Sequence, residues 1–212
     1  MALFVKNPNT NDNKPLFTVG LSKTFLVVGL GNPGDKYDLT RHNVGFFCSD
    51  YMVESNDQMS DWVNKKDLKC HFSSGNLGDT RLIVIKPQTF MNSSGESVLA
   101  VTRFFNVPMN NVLVVHDDLD INFGQIRSRV GGSSAGHNGV QSIMDLVGES
   151  FGRIRVGIGP LPEKFEKDKF VLSKFNSDQT SNLEPLKKEV NSLAMEFIYG
   201  GQINAETRSF LI

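Results

Sequence analysis

Apolar residues recur along the chain in two rhythms. Short continuous runs at Phe25–Val28, Leu82–Ile85 and Val112–Val115 each stop at glycine, proline or a polar cluster, which predicts buried strands. Gln125–Val130 and Ile154–Ile158 alternate and predict two more strands, the first carrying Arg127 and Arg129 on one face. Leu68–Ser74 and Thr80–Lys86 flank the turn-rich residues 75–79, the pattern of a hairpin or of two adjacent strands. Between these lie helical periods. Val44, Phe47, Cys48, Tyr51 and Met52 follow i, i+3, i+4, i+7, i+8, with Thr40 as the expected N-cap and His42 in the first helical turn. Ser93 and Glu96 have capping-box spacing before a helix that buries Val98, Val101 and Phe105. Val140–Val147 predicts a further helix. Leu183, Leu186, Val190, Leu193, Phe197 and Ile198 predict a long one stopped at Gly200-Gly201. Residues 55–67 are expected as loop or helix end, and Pro160–Lys174 as a charged surface flap. Alternating strands and helices without repeat or linker predict one α/β domain over 24–212, its central sheet mixed and flanked by helices, behind an N-terminal extension at 1–23.

Composition narrows the class without naming a chemistry. The 212 residues are 39% hydrophobic and 21% charged, ordinary for a globular domain, and the formal net charge of −1 excludes a polybasic binder but not a local RNA-binding patch. Cys48 and Cys70 lack metal-type spacing and are expected as buried reduced thiols. No apolar run approaches the roughly 20 residues of a membrane span. The Asn-rich extension has neither the apolar stretch of a secretion signal nor the arginines of a mitochondrial presequence, and an organellar address in it stays open.

Four polar clusters follow predicted strands. The first, Gly29 to Gly45, reads GLGNPGDKYDLTRHNVG. Its G-x-G-x-x-G spacing would suit a dinucleotide, but Pro33 inside the motif and the aperiodic Asp35–Thr40 deny it the helix that must face a pyrophosphate. His42, flanked by Arg41 and Asn43 just after a glycine turn, is poorly suited to a core role and is the candidate base. The second cluster, Pro87–Asn92, lies at a strand's carboxyl end, where open α/β sheets bind ligands; Asn92 is either an alternative N-cap or a substrate-facing amide. The third, His116–Asp120, is either a solvated acidic turn or the source of a carboxylate, Asp117, that accepts the ring N–H of His42 and fixes its tautomer. The fourth, Gly131–Gly139, lets backbone N–H groups approach a ligand, with Asn138 as cap or contact. No serine sits in a nucleophile-elbow setting, so water is the expected nucleophile of a hydrolytic site.

Taken together, GLGNPGDKYDLTRHNVG, KPQTFMNSSGESV, HDDLD, GGSSAGHNGV and RIRVGIG resemble the bacterial-type peptidyl-tRNA hydrolase family, over roughly Phe25 to Phe197. The resemblance implies a single α/β domain with a twisted mixed sheet. It also implies hydrolysis of the ester joining peptide to the 3′ ribose of tRNA, without metal or other cofactor. His42 then matches the catalytic base and Asp117 its partner. Asn32, Asn92 and Asn138 match asparagines that position substrate and water, Tyr37 and Met91 match the peptide channel, and Arg127, Arg129 and Arg155 match basic residues that hold a tRNA phosphate. It further implies peptidyl-tRNA as partner, no membrane, a monomer, and a cytoplasmic or, through the extension, organellar location. Gln141 where the family usually has a basic residue, and Cys48-Ser49 in place of an apolar pair, are departures outside the assigned chemistry. The competing expectation is a relative that binds RNA without cleaving it.

Overall fold

The computed structural model describes residues 23–211, so the expected extension lies outside the described residues except for Lys23, which opens the first strand. In chain order the elements are β1 (Lys23–Gly29), α1 (Val44–Glu54), β2 (Val63–Lys65), β3 (Cys70–Leu77), β4 (Thr80–Pro87), α2 (Ser94–Phe105), β5 (Val112–Asn122), β6 (Gln125–Val130), α3 (Asn138–Val147), β7 (Gly152–Gly159), α4 (Lys167–Val171), α5 (Ser177–Ser181), α6 (Leu183–Gly200) and β8 (Glu206–Ser209). The strands form one mixed sheet in the order β2-β3-β4-β1-β5-β7-β6-β8. Its centre, β4-β1-β5-β7, is parallel, and antiparallel pairs close both sides.

Strand alternation explains the layers. Phe25 and Val27 point to a core shared with α1 and α6, while Leu26 and Val28 point to one shared with α2 and α3. A central parallel strand buried on both faces needs such a continuous apolar run.

Several expectations change in detail, for local reasons. The capping box does not form: Ser93 makes no side-chain cap bond, and Glu96 pairs instead with Lys69 at 2.5 Å. The hairpin turn is tighter than 75–79, because β3 runs to Leu77 and leaves Gly78-Asp79 as the turn. The stretch 55–67 includes β2. The expected flap at 160–174 contains α4, whose Phe170 and Val171 are buried, although 161–169 are all exposed.

The feature that positions the site is a notch in the sheet edge. β1 ends opposite Val115, while β5 runs on through His116, Asp117 and Asp118 alongside β7. The start of α1 drops into the space beyond β1. Gly45 makes this possible: a Cβ there would lie 2.3 Å from Leu30 N and 2.5 Å from Val115 O, and one on Gly29 would lie 2.2 Å from Gly45 O. Backbone therefore packs on backbone, and larger residues would push the helix outward. Gly45→Ala is expected to lower the unfolding free energy by about 1–3 kcal/mol and to reduce turnover as well. Urea denaturation and turnover measured on one preparation check both effects.

Candidate active site

His42 lies on a 3-10 turn, Arg41–Asn43, ahead of α1 rather than in its first turn. Thr40 starts that turn, but its hydroxyl donates back to Tyr37 O (2.7 Å) instead of capping it. The turn places all three of its side chains inward: Arg41, His42 and Asn43 are buried.

His42 Nδ1 lies 2.8 Å from Asp117 Oδ1, the pairing expected from the sequence. The acidic cluster is no solvated turn; His116, Asp117 and Asp118 are buried within β5. The same Asp117 oxygen is 3.0 Å from His137 Nε2. His137 is the N-cap of α3, its Nδ1 accepting from Gly139 N (3.1 Å) and Val140 N (3.2 Å), the role expected of Asn138. An accepting Nδ1 leaves the ring hydrogen on Nε2, so His137 donates to Asp117. His116 donates from Nδ1 to the Asp117 carbonyl (2.8 Å), leaving its buried Nε2 without a partner among the described residues. The rings of His42 and His116 each lie 4.8 Å from that of His137. Asp117 is thus oriented by imidazoles on two sides, and its free carboxylate geometry is fixed before any substrate arrives.

The electrostatics follow. Burial disfavours the imidazolium of His42, but the charge of Asp117 and its hydrogen bond outweigh burial, with Asp168 assisting and Lys167 opposing, so His42 is raised above its ordinary value. Burial alone would raise Asp117; the neighbouring His42 and His137 and their hydrogen bonds drive it well below the carboxylate range. Burial, reinforced by His137, holds His116 far below the ordinary histidine value. With Asp117 ionised, the His42 proton sits on Nδ1, and Nε2 is left for the cleft.

That cleft, about 320 Å³, is lined by Asn32, His42, Phe90, Met91, Asn92, Asn138, Asp168, Val171 and Leu172. A smaller hollow beside it reaches Asp117, Asp118, Ser134 and His137. Asn32 is held by reciprocal bonds with Asn43: its N–H donates to Asn43 Oδ1 (2.9 Å), and Asn43 Nδ2 donates to its carbonyl (3.0 Å). Asn32 Oδ1 accepts from Met91 N (2.9 Å), and its Nδ2 has no hydrogen bond among the described residues. The amide therefore presents a fixed donor toward the cleft. Asn92 and Asn138 are exposed there, with no bonds of their own side chains among the described residues.

Six of the predicted residues thus converge: His42, Asp117, Asn32, Met91, Asn92 and Asn138. Tyr37 does not line the cleft; it is half-buried, with the Lys36 ammonium 4.7 Å over its ring. Arg127 and Arg129 lie on β6 opposite Arg155 and Arg153 of β7, a cluster on one sheet face whose members do not themselves line the cleft. Arg155 Nε is bound to Asp118 Oδ2 at 2.7 Å. His137, Asn43 and Arg153 were not among the site residues expected from the sequence, yet each supports the site. Arg153 is 2% exposed and holds the carbonyls of Gly131, Gly132 (2.7 Å) and Ser133 (2.8 Å), tying down the loop that leads to His137. The only signal for His137 and Asn43 was adjacency to asparagine or histidine in a glycine-rich stretch.

His42, Asp117 and His137 offer ligand-type atoms within 4.8 Å of one another. Two of these side chains already bond to Asp117 Oδ1, His42 Nδ1 at 2.8 Å and His137 Nε2 at 3.0 Å, while His42 Nε2 keeps a free lone pair.

A carboxylate-oriented imidazole beside a cleft with amide donors, at the carboxyl edge of an α/β sheet, is an arrangement that can take a proton from water, chemistry open to a hydrolase. The comparisons specify the family. The peptidyl-tRNA hydrolase family profile matches residues 26–210. A chloroplastic peptidyl-tRNA hydrolase of Arabidopsis thaliana is 45% identical over 77% of this chain, which spans 57% of that longer protein. The peptidyl-tRNA hydrolase of Clostridium novyi is 40% identical over 85% of this chain and 95% of its own. The crystal structure of peptidyl-tRNA hydrolase from Acinetobacter baumannii superposes with a TM-score of 0.78 at 32% identity, covering 85% of this chain and 91% of that one. This chain belongs to the peptidyl-tRNA hydrolase family.

Proposed function

We propose that His42 is the general base with which this enzyme cleaves the ester between the peptide and the 3′ ribose of tRNA in peptidyl-tRNA. The observation that carries this reading is the 2.8 Å bond from His42 Nδ1 to Asp117, which leaves Nε2 facing the cleft as the acceptor. Nε2 takes a proton from water as the oxygen attacks the ester carbonyl. The tetrahedral oxyanion is met by side-chain amides, Asn32 Nδ2 and those of Asn92 and Asn138. Collapse expels the ribose 3′ oxygen, which takes the proton back from His42. The products are tRNA with a free 3′ hydroxyl and a peptide with a carboxylate. Phe90, Met91, Val171 and Leu172 give the cleft an apolar side for the peptide.

Incubation with N-blocked aminoacyl-tRNA tests the function directly. Accumulation of free tRNA is expected; tight binding with no release would identify an RNA-holding relative instead.

Arg127, Arg129 and Arg155 hold a tRNA phosphate in this reading. Asp118 takes only the Nε of Arg155, which leaves the two terminal amino groups of its guanidinium for a bidentate contact. Neutralising all three arginines to glutamine is expected to weaken tRNA binding and to flatten the log Kd against log salt slope by about 2–3. An unchanged slope would place the RNA elsewhere. The monomeric state and the cytoplasm remain part of the proposal, with an organellar destination as the alternative that the 1–23 extension leaves open. Among the described residues no helix is long and apolar enough to cross a membrane.

A further inference from the structure

Arg41 shares the three-residue turn of the base yet faces away from the cleft. Its backbone N–H donates to Ser173 O (3.0 Å). Its Nη1 donates to Ser173 Oγ (2.8 Å) and to Lys174 O, and its Nη2 donates to Gln179 Oε1 (2.7 Å). The guanidinium lies 4.5 Å from the ring centre of Phe170 and 5.1 Å from that of Phe175. Thr40 and Lys174 form an isolated antiparallel bridge beside it. The side chain is buried, and among the described residues no carboxylate pairs with it. A buried cation met only by neutral oxygens and aromatic faces is an expensive way to fill space. All of its partners come from one stretch, 170–179, and that stretch overlaps and continues the cleft wall: Asp168, Val171 and Leu172 line the same cleft as His42. At its far end the wall reaches the glycine loop, where the Lys167 ammonium lies close over Gly136. Between that point and β7 the residues are exposed. Arg41 is thus the foot on which the wall stands, one residue from the base.

We propose that Arg41 is a positioning residue that sets the spacing between His42 and the 168–172 wall, and so controls how tightly the peptide moiety is held. The inference rests on the proposed peptidyl-tRNA hydrolysis at this cleft. A planar fork meets three acceptors while lying within 5.1 Å of two ring centres; a lysine ammonium keeps the charge and loses the geometry. His42 itself is held by Asp117, so the chemistry is expected to survive while the grip on peptide loosens.

The test compares wild type, Arg41→Lys and Ser173→Ala on N-acetylaminoacyl-tRNA and on a tripeptidyl-tRNA. Arg41→Lys is expected to raise KM about tenfold for the tripeptidyl substrate and less for the short one, with kcat within twofold and the pH profile unmoved. Ser173→Ala, which loses one bond, is expected to raise KM two- to threefold in the same order. A merely structural role would reduce the active fraction, lowering apparent kcat and leaving KM alone, and that result would overturn the proposal. Unchanged KM in both variants would also overturn it. Calorimetric binding of a 3′-amide-linked N-acetylpeptidyl adenosine reads the same wall without hydrolysis. Weaker binding to Arg41→Lys supports the inference even if His42 proves not to be the base, whereas equal binding sinks it with the hydrolytic reading intact.

Discussion

Replacing His42 with alanine is expected to slow hydrolysis of N-blocked aminoacyl-tRNA by about 10²–10⁴-fold, the usual worth of a positioned general base, while tRNA affinity stays within about twofold. Binding is spared because the arginines of β6 and β7 are not among the residues that line the cleft with His42. The fold is expected to survive, because Asp117 keeps its bond from His137 and the carbonyl bond from His116. The residual rate would come from amides that still meet the oxyanion. Gel separation of charged and free tRNA measures the rate, and filter binding measures the affinity. Near-normal turnover would reject His42 as the base.

The second large effect belongs to Asp117. Asp117→Asn preserves shape but removes the charge that raises His42 and offers an amide in place of an obligatory acceptor. A rate loss on the order of 10²–10⁴-fold is expected, by analogy with dyads in which the carboxylate fixes the tautomer of a catalytic histidine. The pH profile is expected to move as well. His42 must be neutral to accept a proton, so kcat/KM rises with pH through its raised value; without Asp117 that limb should shift to lower pH. Stability runs the other way. A group whose folded value is raised contributes stability fully below its unfolded value, about 6.5 for histidine, and loses it as pH rises through the folded value. The wild-type enzyme should therefore give up some stability over the same range in which it gains activity, while Asp117, held well below the carboxylate range, stays ionised throughout. An unmoved limb together with an unchanged rate in the asparagine variant would remove the dyad from the mechanism.

How far the sequence disclosed this site depends on which forces built each part. β1, β4 and α6 were legible because continuous or 3.6-periodic apolar residues are buried where such patterns predict. The His42–Asp117 pair was legible because a glycine turn and a strand end each presented one conspicuous polar residue. The burial of His116-Asp117-Asp118 was not legible. A polar cluster reads as a turn, and it becomes strand only because His42, His137 and Arg155 arrive from distant segments to satisfy it. β8 escaped for a similar reason: Glu206–Ser209 holds no apolar run. The open edge of β6 and the bonds of Arg208 to Glu189 and Glu196 of α6 hold it in place. The same holds for His137. Capping by its Nδ1 is a local event, but its donation to Asp117 exists only once β5 and α3 are side by side.

Neutral His42 is expected to limit the reaction on the acid side. The direct measurement is the titration of the His42 ring followed by NMR, set against the pH dependence of kcat/KM for the same protein. The two midpoints should coincide, above the ordinary histidine value, and both should fall in Asp117→Asn. A His42 that titrates well away from the kinetic limb would contradict the account, because the group whose deprotonation starts catalysis would then be another.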